Sequence, residues 1–315
     1  MKNYLIPVYE DQHIIDLADS QLDVFWTHRE IKVEKDIQDI LVNFSEAEKH
    51  AVIETLRLFS IYETHVGDEW WGGRFKEMFP SADYHRMASV FSMVENAIHA
   101  PFYNLINDLL HINTPEFYTS YADDPVLKDR MDHIGKMVND PIDEVALGAF
   151  CMVEGVILYS NFAFLKHYQS QGKNKLMNVV RGLNFSVRDE NLHSVASAYA
   201  MKKKMLSRTP EEKEMIYNKI VEASNLILEH ETKIIGKLFE KGKIDGITDK
   251  QLINFVKSRI DVCFNEMGFK KLHHVTWNPI SQWFYKGIND YQFNDFFSGA
   301  GASYHRNWDE SAFKW

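Results

Sequence analysis

The 315-residue chain carries 35 Lys and Arg against 45 Asp and Glu, a formal net charge of −10, and 45% of its residues are apolar, with 21 Phe, 14 Tyr and 7 Trp. The acidic balance excludes non-specific nucleic-acid binding, which needs cations to neutralise phosphates. The apolar share supports a large core, yet no run of about 18 apolar residues stands out, so no membrane span is expected. Met1-Lys2-Asn3-Tyr4-Leu5 lacks the apolar stretch of a secretory signal. Cys151 and Cys263 are too few for a disulfide framework or a thiolate metal site and are expected as buried small hydrophobes in a reducing cytoplasm. A metal in this chain has to be held by oxygen and nitrogen.

Ser45-Glu46-Ala47-Glu48 is a capping box that opens a helix, with Val52, Leu56 and Phe59 recurring at helical spacing behind it. A second helix runs from about Ala82 to Leu109. Pro101 lies inside it, and its ring clashes with the carbonyl of Ala97, which predicts a kink or loosened turn beside His99. A third helix opens near Asp143 and passes through Glu154 and Phe162; a fourth runs from about Leu176 to Met205. Thr209-Pro210-Glu211-Glu212 starts a fifth, with Pro at the first helical position, and Thr248-Asp249-Lys250-Gln251 starts a sixth. No strand-like alternation competes, so the chain reads as all-α. Residues 1–295 form one domain in this reading. From about Phe296 the composition changes: the segment Ser298-Gly299-Ala300-Gly301-Ala302-Ser303 leads into a stretch of aromatics and charges ending at Trp315. Residues 296–315 therefore read as a tail that orders on a partner.

The most informative motif is Arg188-Asp189-Glu190-Asn191-Leu192-His193, with an imperfect echo in Asn96-Ala97-Ile98-His99. Glu-x-x-His on a helix places a carboxylate and an imidazole about 60° apart on one face. One such pair can hold a metal ion, and two facing helices can hold two. Glu154 lies in the apolar run from Phe150 to Leu158, and Glu63 lies in a similar stretch followed by His65 and Asp68. A buried carboxylate needs a cation, and no Lys or Arg flanks Glu154 closely. A metal supplies one; a polar group from a neighbouring helix is the bland alternative. The candidate ligands are Glu63, Asn96, His99, Glu154, Glu190 and His193.

Taken in order along the chain, these residues resemble the radical-generating small (beta) subunit of class I ribonucleotide reductase. Val153-Glu154-Gly155 and the hexapeptide Arg188–His193 resemble that family's second pair of ligand helices, and Ile98-His99 with Tyr103 resembles its first histidine and the tyrosine four residues on. Phe25-Trp26 resembles its electron-transfer tryptophan, and Phe296-Phe297 followed by Tyr304 resembles its tail tyrosine. The resemblance implies a ferritin-like helical bundle with additional helices, a homodimer, and a dinuclear iron or manganese site that oxidises Tyr103. It implies a relay in which Asp189 pairs with Trp26 and with His99 or His193. Tyr304 then carries the equivalent to a large subunit that reduces ribonucleotides to deoxyribonucleotides for DNA replication, and the residues after Tyr304 dock on that partner. Two other readings stand beside it: a metal oxidase of the same fold acting on a small molecule, and a non-catalytic partner of the large subunit.

The departures from the family pattern are local. Asn96 stands where the family has a bridging glutamate, and a neutral amide is a poorer ligand than a carboxylate. Glu95 is adjacent, but one residue rotates a helix by about 100°, so Glu95 is expected to point elsewhere unless Pro101 unwinds the turn. Ser186 stands one turn before Glu190 in place of an aliphatic residue, and Pro101 is atypical. With three carboxylates instead of four, an asymmetric pair, a single metal or no metal becomes the expectation.

Overall fold

The computed structural model of the protein describes residues 8–285 and 288, the side chains of Ser60 and Ile61 apart. Tyr304 and the segment 296–315 lie outside the described residues. Twelve α-helices are described: α1 (Gln12–Asp23), α2 (Glu46–His65), α3 (Phe75–Met78), α4 (Ala82–Val94), α5 (Ala100–Leu109), α6 (Pro115–Asp123), α7 (Pro125–Val138), α8 (Asp143–Met152), α9 (Tyr159–Lys166), α10 (Met177–Met205), α11 (Pro210–Leu238) and α12 (Asp249–Glu266). No strand is described. The all-α expectation holds, and α1, α6 and α7 add to the six helices read from the sequence.

Local chemistry sets the helix starts. The side chains of Ser45, Thr209 and Thr248 each accept from the backbone of the third helical residue, and Glu48, Glu212 and Gln251 reach back to complete capping boxes. The start of α10 is pinned from a distance: Asp36 accepts from the backbone amides of Asn178 and Val179 at 2.6 and 2.7 Å. This fixes the helix that carries the hexapeptide against the segment leading out of α1.

Three of the helical runs around the site are not plain α-helix. Wide π-type turns follow α2 (Val66–Arg74), join α4 to α5 (Glu95–His99) and join α8 to α9 (Val153–Ile157). Such turns cost hydrogen-bond geometry and recur at functional sites. The loosened turn expected before Pro101 is therefore present, and the ring at the start of α5 sits where a missing N–H costs least. Gly155 is required in its own turn, because a Cβ there would run into Cys263 Sγ and into Ser194 Oγ. Only glycine lets the Glu154 turn close onto α10 and α12.

The helices share one continuous apolar core. α8 packs most extensively on α10, while α1 lies on α4 and α11 lies on α8, α7 and α12. The sequence expectation of no membrane-length apolar run needs correction. Residues 143–169 are long and apolar enough by length and composition to cross a membrane, but the apolar window within them is entirely buried inside the protein. It is the central stave of the bundle, apolar on all sides because helices surround it.

A buried polar network lies next to this core. Arg130 and Glu231, each 1% exposed, pair at 3.0 Å, Ser160 donates to Glu231 at 2.9 Å, and the guanidinium lies 4.9 Å from the Tyr62 ring. Removing one member leaves the other buried without a counter-charge. Arg130→Met is therefore expected to destabilise the protein by roughly 3–5 kcal/mol, and adding Glu231→Met should recover most of that loss. Urea unfolding of the single and double variants measures both.

Candidate metal centre

Four helical runs converge on one pocket. Glu63 comes from the last turn of α2, Glu95 and His99 from the wide turn before α5, Glu154 from the wide turn after α8, and Glu190 with His193 from the middle of α10. All six are buried, with none more than 5% exposed. Their donor atoms form two interlocking groups, Glu63–Glu95–His99–Glu190 and Glu95–Glu154–Glu190–His193, each with all atoms within 4.8 Å of one another. Glu95 and Glu190 belong to both groups.

Asn96 does not take part, contrary to the sequence expectation. Its amide turns outward and donates to Asp68 at 2.8 Å. Glu95 enters instead, with Oε2 at 3.0 Å from His99 Nδ1 and Oε1 at 2.7 Å from His193 Nδ1. The physical reason lies in the helix geometry. Residues i and i+4 share a helix face as well as i and i+3 do. The wide turn, at roughly 4.4 residues per turn, swings Glu95 to the same side of His99 that an ordinary i, i+3 pair occupies. The echo of the hexapeptide is thus Glu95-Asn96-Ala97-Ile98-His99, one residue longer than it reads. The site keeps four carboxylates, and the donor deficit expected from Asn96 does not arise.

The arrangement has the character of a cation site. Glu63 Oε1, both oxygens of Glu190, Glu95 Oε1 and His193 Nδ1 are buried without an aligned hydrogen bond, although Glu95 and His193 approach closely. Buried polar atoms in native proteins are otherwise nearly always paired. These orphaned atoms face one another around a small cavity lined by Tyr62, Glu63, Glu95, Glu154 and Glu190. Hard oxygen donors with two imidazoles suit divalent iron, manganese or a similar ion. The donor set fits a pair of such ions.

Charge in the metal-free cluster is balanced by protons. Burial pushes the Glu63 and Glu154 carboxyls up, and neighbouring carboxylates push Glu154 further. Burial would lower both histidines, but Glu95 with Asp189 and Glu190 more than reverses this for His99, and Glu190 with Glu95 raises His193 to about 9. Burial likewise disfavours charge on Glu95, yet the two adjacent imidazoles hold it below the usual carboxylate range. A cation must displace these protons, so affinity is expected to rise with pH through the His193 value of about 9, with protons released on binding. Calorimetry in buffers of different ionisation enthalpy reads the release directly. An affinity flat from neutral pH to about 9 would contradict the assignment.

Around the cluster, the other residues picked from the sequence also assemble. Asp189 Oδ2 accepts from Trp26 Nε1 at 2.8 Å and lies 3.1 Å from His99 Nε2. Of the two partners the sequence left open for Asp189, the histidine is His99. Burial alone would raise the Asp189 carboxyl, but the His99 hydrogen bond, the Arg188 charge and Trp26 hold it low. Arg188 also donates to the Val24 carbonyl at 2.6 Å, which ties down the loop that carries Trp26. Tyr103 is wholly buried, its hydroxyl 2.9 Å from Ser186 Oγ and its ring 4.5 Å from Phe59, which stacks in turn on Phe162. Burial first, and then the charge of Glu63, keep its phenol protonated.

The sequence admitted Glu95 only if the turn before Pro101 unwound, and the turn Glu95–His99 is wide. Two contributors escape a sequence reading. Trp71 donates to Glu154 Oε1 at 3.0 Å and packs edge-on to His193, while Phe91 covers the other side of that ring at 4.3 Å. The doublet Trp70-Trp71 was the only signal available. A second cluster, Cys151, Cys263 and Glu266, brings possible donors together. The Ser194 hydroxyl fills its middle, 3.4 Å from Cys151 Sγ and 3.2 Å from Glu266. These groups are satisfied without an ion, and the two cysteines are free and buried as expected.

A helical bundle whose central helices hold two carboxylate–histidine groups around one buried cavity defines a ferritin-like metalloprotein. Within that class, residues 4–279 match the family model of the ribonucleotide reductase small chain, and the chain belongs to this family. It is 22% identical over 317 residues to a probable ribonucleoside-diphosphate reductase small subunit of Invertebrate iridescent virus 3, covering 92% of this chain and 81% of the relative. It is 27% identical over 290 residues to the ribonucleoside-diphosphate reductase small chain of Monkeypox virus, with 85% and 84% covered. In fold it is similar to the dimanganese(II) NrdF of Streptococcus sanguinis, with a TM-score of 0.80, 19% identity, and 91% of this chain and 99% of that one covered. The chain is thus the small subunit of a ribonucleotide reductase, an oxidoreductase that works with a large subunit.

Proposed function

We propose that the cluster holds two iron or manganese ions, one between Glu63 and His99 and one between Glu154 and His193, with Glu95 and Glu190 shared by both. The observation that carries this reading is the interlocking of the two donor groups through those two carboxylates. When bound and reacted with an activating oxygen species, the metal pair would supply an oxidant able to take one electron from a nearby phenol. Tyr103 is that phenol. Its proton is held at the Tyr103–Ser186 hydrogen bond, and Phe59, Phe102 and Phe162 exclude water from the oxidised ring.

The relay starts at the cluster and leads outward. His99 presents Nδ1 to the carboxylates and Nε2 to Asp189, and Asp189 joins it to Trp26. A carboxylate in this position fixes the orientation of a ligating imidazole and raises its basicity. The line from His99 to Trp26 supports export of the equivalent and speaks against a self-contained oxidase, which needs no such route. Tyr304, with the residues after it, forms the link to the large subunit, and the host compartment is the cytoplasm. Elemental analysis after anaerobic loading tests the metal assignment, with two equivalents per chain expected. Truncation after Ala302 tests the tail: nucleotide reduction should be lost while metal loading stays intact.

A further inference from the structure

The wide turn that delivers Glu95 is held from outside the cluster. Gly67, in the wide turn after α2, lies directly under it: a Cβ at Gly67 would come within 2.6 Å of Asn96 Nδ2, 2.9 Å of Asn96 Cγ and 3.0 Å of Glu95 Cβ. The Asn96 side chain therefore fits only over a bare backbone. Its amide then donates to Asp68, the next residue along, at 2.8 Å. An amide donating to a carboxylate is a charge-assisted bond with a defined direction. Two wide turns, Val66–Arg74 and Glu95–His99, are in this way keyed together at one point.

We propose that Gly67, Asp68 and Asn96 form a latch that sets the register of the Glu95–His99 turn, so that the carboxylate of Glu95 and not the amide of Asn96 faces the metal centre. The proposal rests on the metal reading above and deepens it by assigning a role to the residue in the ligand-like position. Asn96 is then a positioning residue. It holds its neighbour inward by being held outward itself. The register matters because Glu95 stands in both donor groups, so a small rotation of the turn is felt at both ions.

The test is metal affinity and stoichiometry, measured by titration of the metal-free full chain with manganese(II), together with the thermal midpoint of the metal-free protein. Asn96→Ala should weaken manganese binding by about tenfold, with little change in the metal-free midpoint. Gly67→Ala, which pushes Asn96 off its seat, should act in the same direction. The exchange Asp68→Asn with Asn96→Asp rebuilds the hydrogen bond in reverse and should restore the affinity. That rescue is the outcome a bulk loss of stability would not give. Wild-type affinity in both single variants overturns the latch and leaves the metal centre standing. A parallel fall in midpoint and affinity without rescue also overturns it. A wild-type chain that takes up no manganese or iron overturns the metal reading, and the latch with it.

Discussion

Glu95→Ala is expected to abolish binding of two metal ions, with a loss well beyond the roughly 10- to 100-fold that removing a supporting outer residue costs. Glu95 and Glu190 both approach the two imidazoles, but Glu95 lies closer to each, His99 at 3.0 Å and His193 at 2.7 Å against 3.1 and 3.5 Å for Glu190, and it is 1% exposed. Deleting it leaves both histidines without their nearest carboxylate. Asn96→Ala provides the contrast, because it removes only the outward anchor and should cost about tenfold. Elemental analysis and manganese titration of the two variants separate the roles. If Glu95→Ala loads two equivalents at wild-type affinity, Glu95 is no ligand and the four-carboxylate site is wrong.

Tyr103→Phe should remove nucleotide reduction in the complex with the large subunit to below about 1% of the wild-type rate, with metal stoichiometry unchanged. The hydroxyl of Tyr103 is the only group lost. Its ring packing against Phe59 and Phe102 survives, and the Ser186 hydroxyl loses one partner in a buried site. The stability cost is therefore about 1 kcal/mol. Electron paramagnetic resonance of the activated protein should lose its organic radical signal in the same variant. Retained activity would move the stored oxidant to another residue. Ser186→Ala separates the phenol from its hydrogen bond and should alter the radical spectrum while leaving the metals in place.

Much of this site was legible in the sequence because its residues sit in strong local contexts. Glu190 and His193 lie on a regular helix, where i, i+3 spacing converts directly into a shared face. Glu154 announces itself as a carboxylate in an apolar run, whereas Asp189 and Trp26 were legible only through the family resemblance. The first histidine helix was different. Its register depends on a wide turn, and the only sequence sign of that turn is Pro101, which tells that a hydrogen bond is lost but not which residue is turned inward. Matching Asn96 to the family's bridging glutamate, with Glu95 admitted only if Pro101 unwound the turn, put Asn96 in the site and produced an expected ligand deficit that the fold does not have.

Residue spacing, together with the resemblance of these motifs to the small subunit of ribonucleotide reductase, thus determined the class of this protein. Capping boxes, periodic apolar positions and the pair Glu190 with His193 depend on contacts within a few residues, and local physics settles those. Tertiary structure decided what depends on residues far apart in the chain. Gly67 and Asp68 lie 29 and 28 positions before Asn96, yet they touch it and favour Glu95 over it. Trp71 reaches Glu154 across 83 positions, and Asp189 selects His99 across 90. No periodicity encodes such meetings, because they arise only when packed helices bring separate turns to the same buried point.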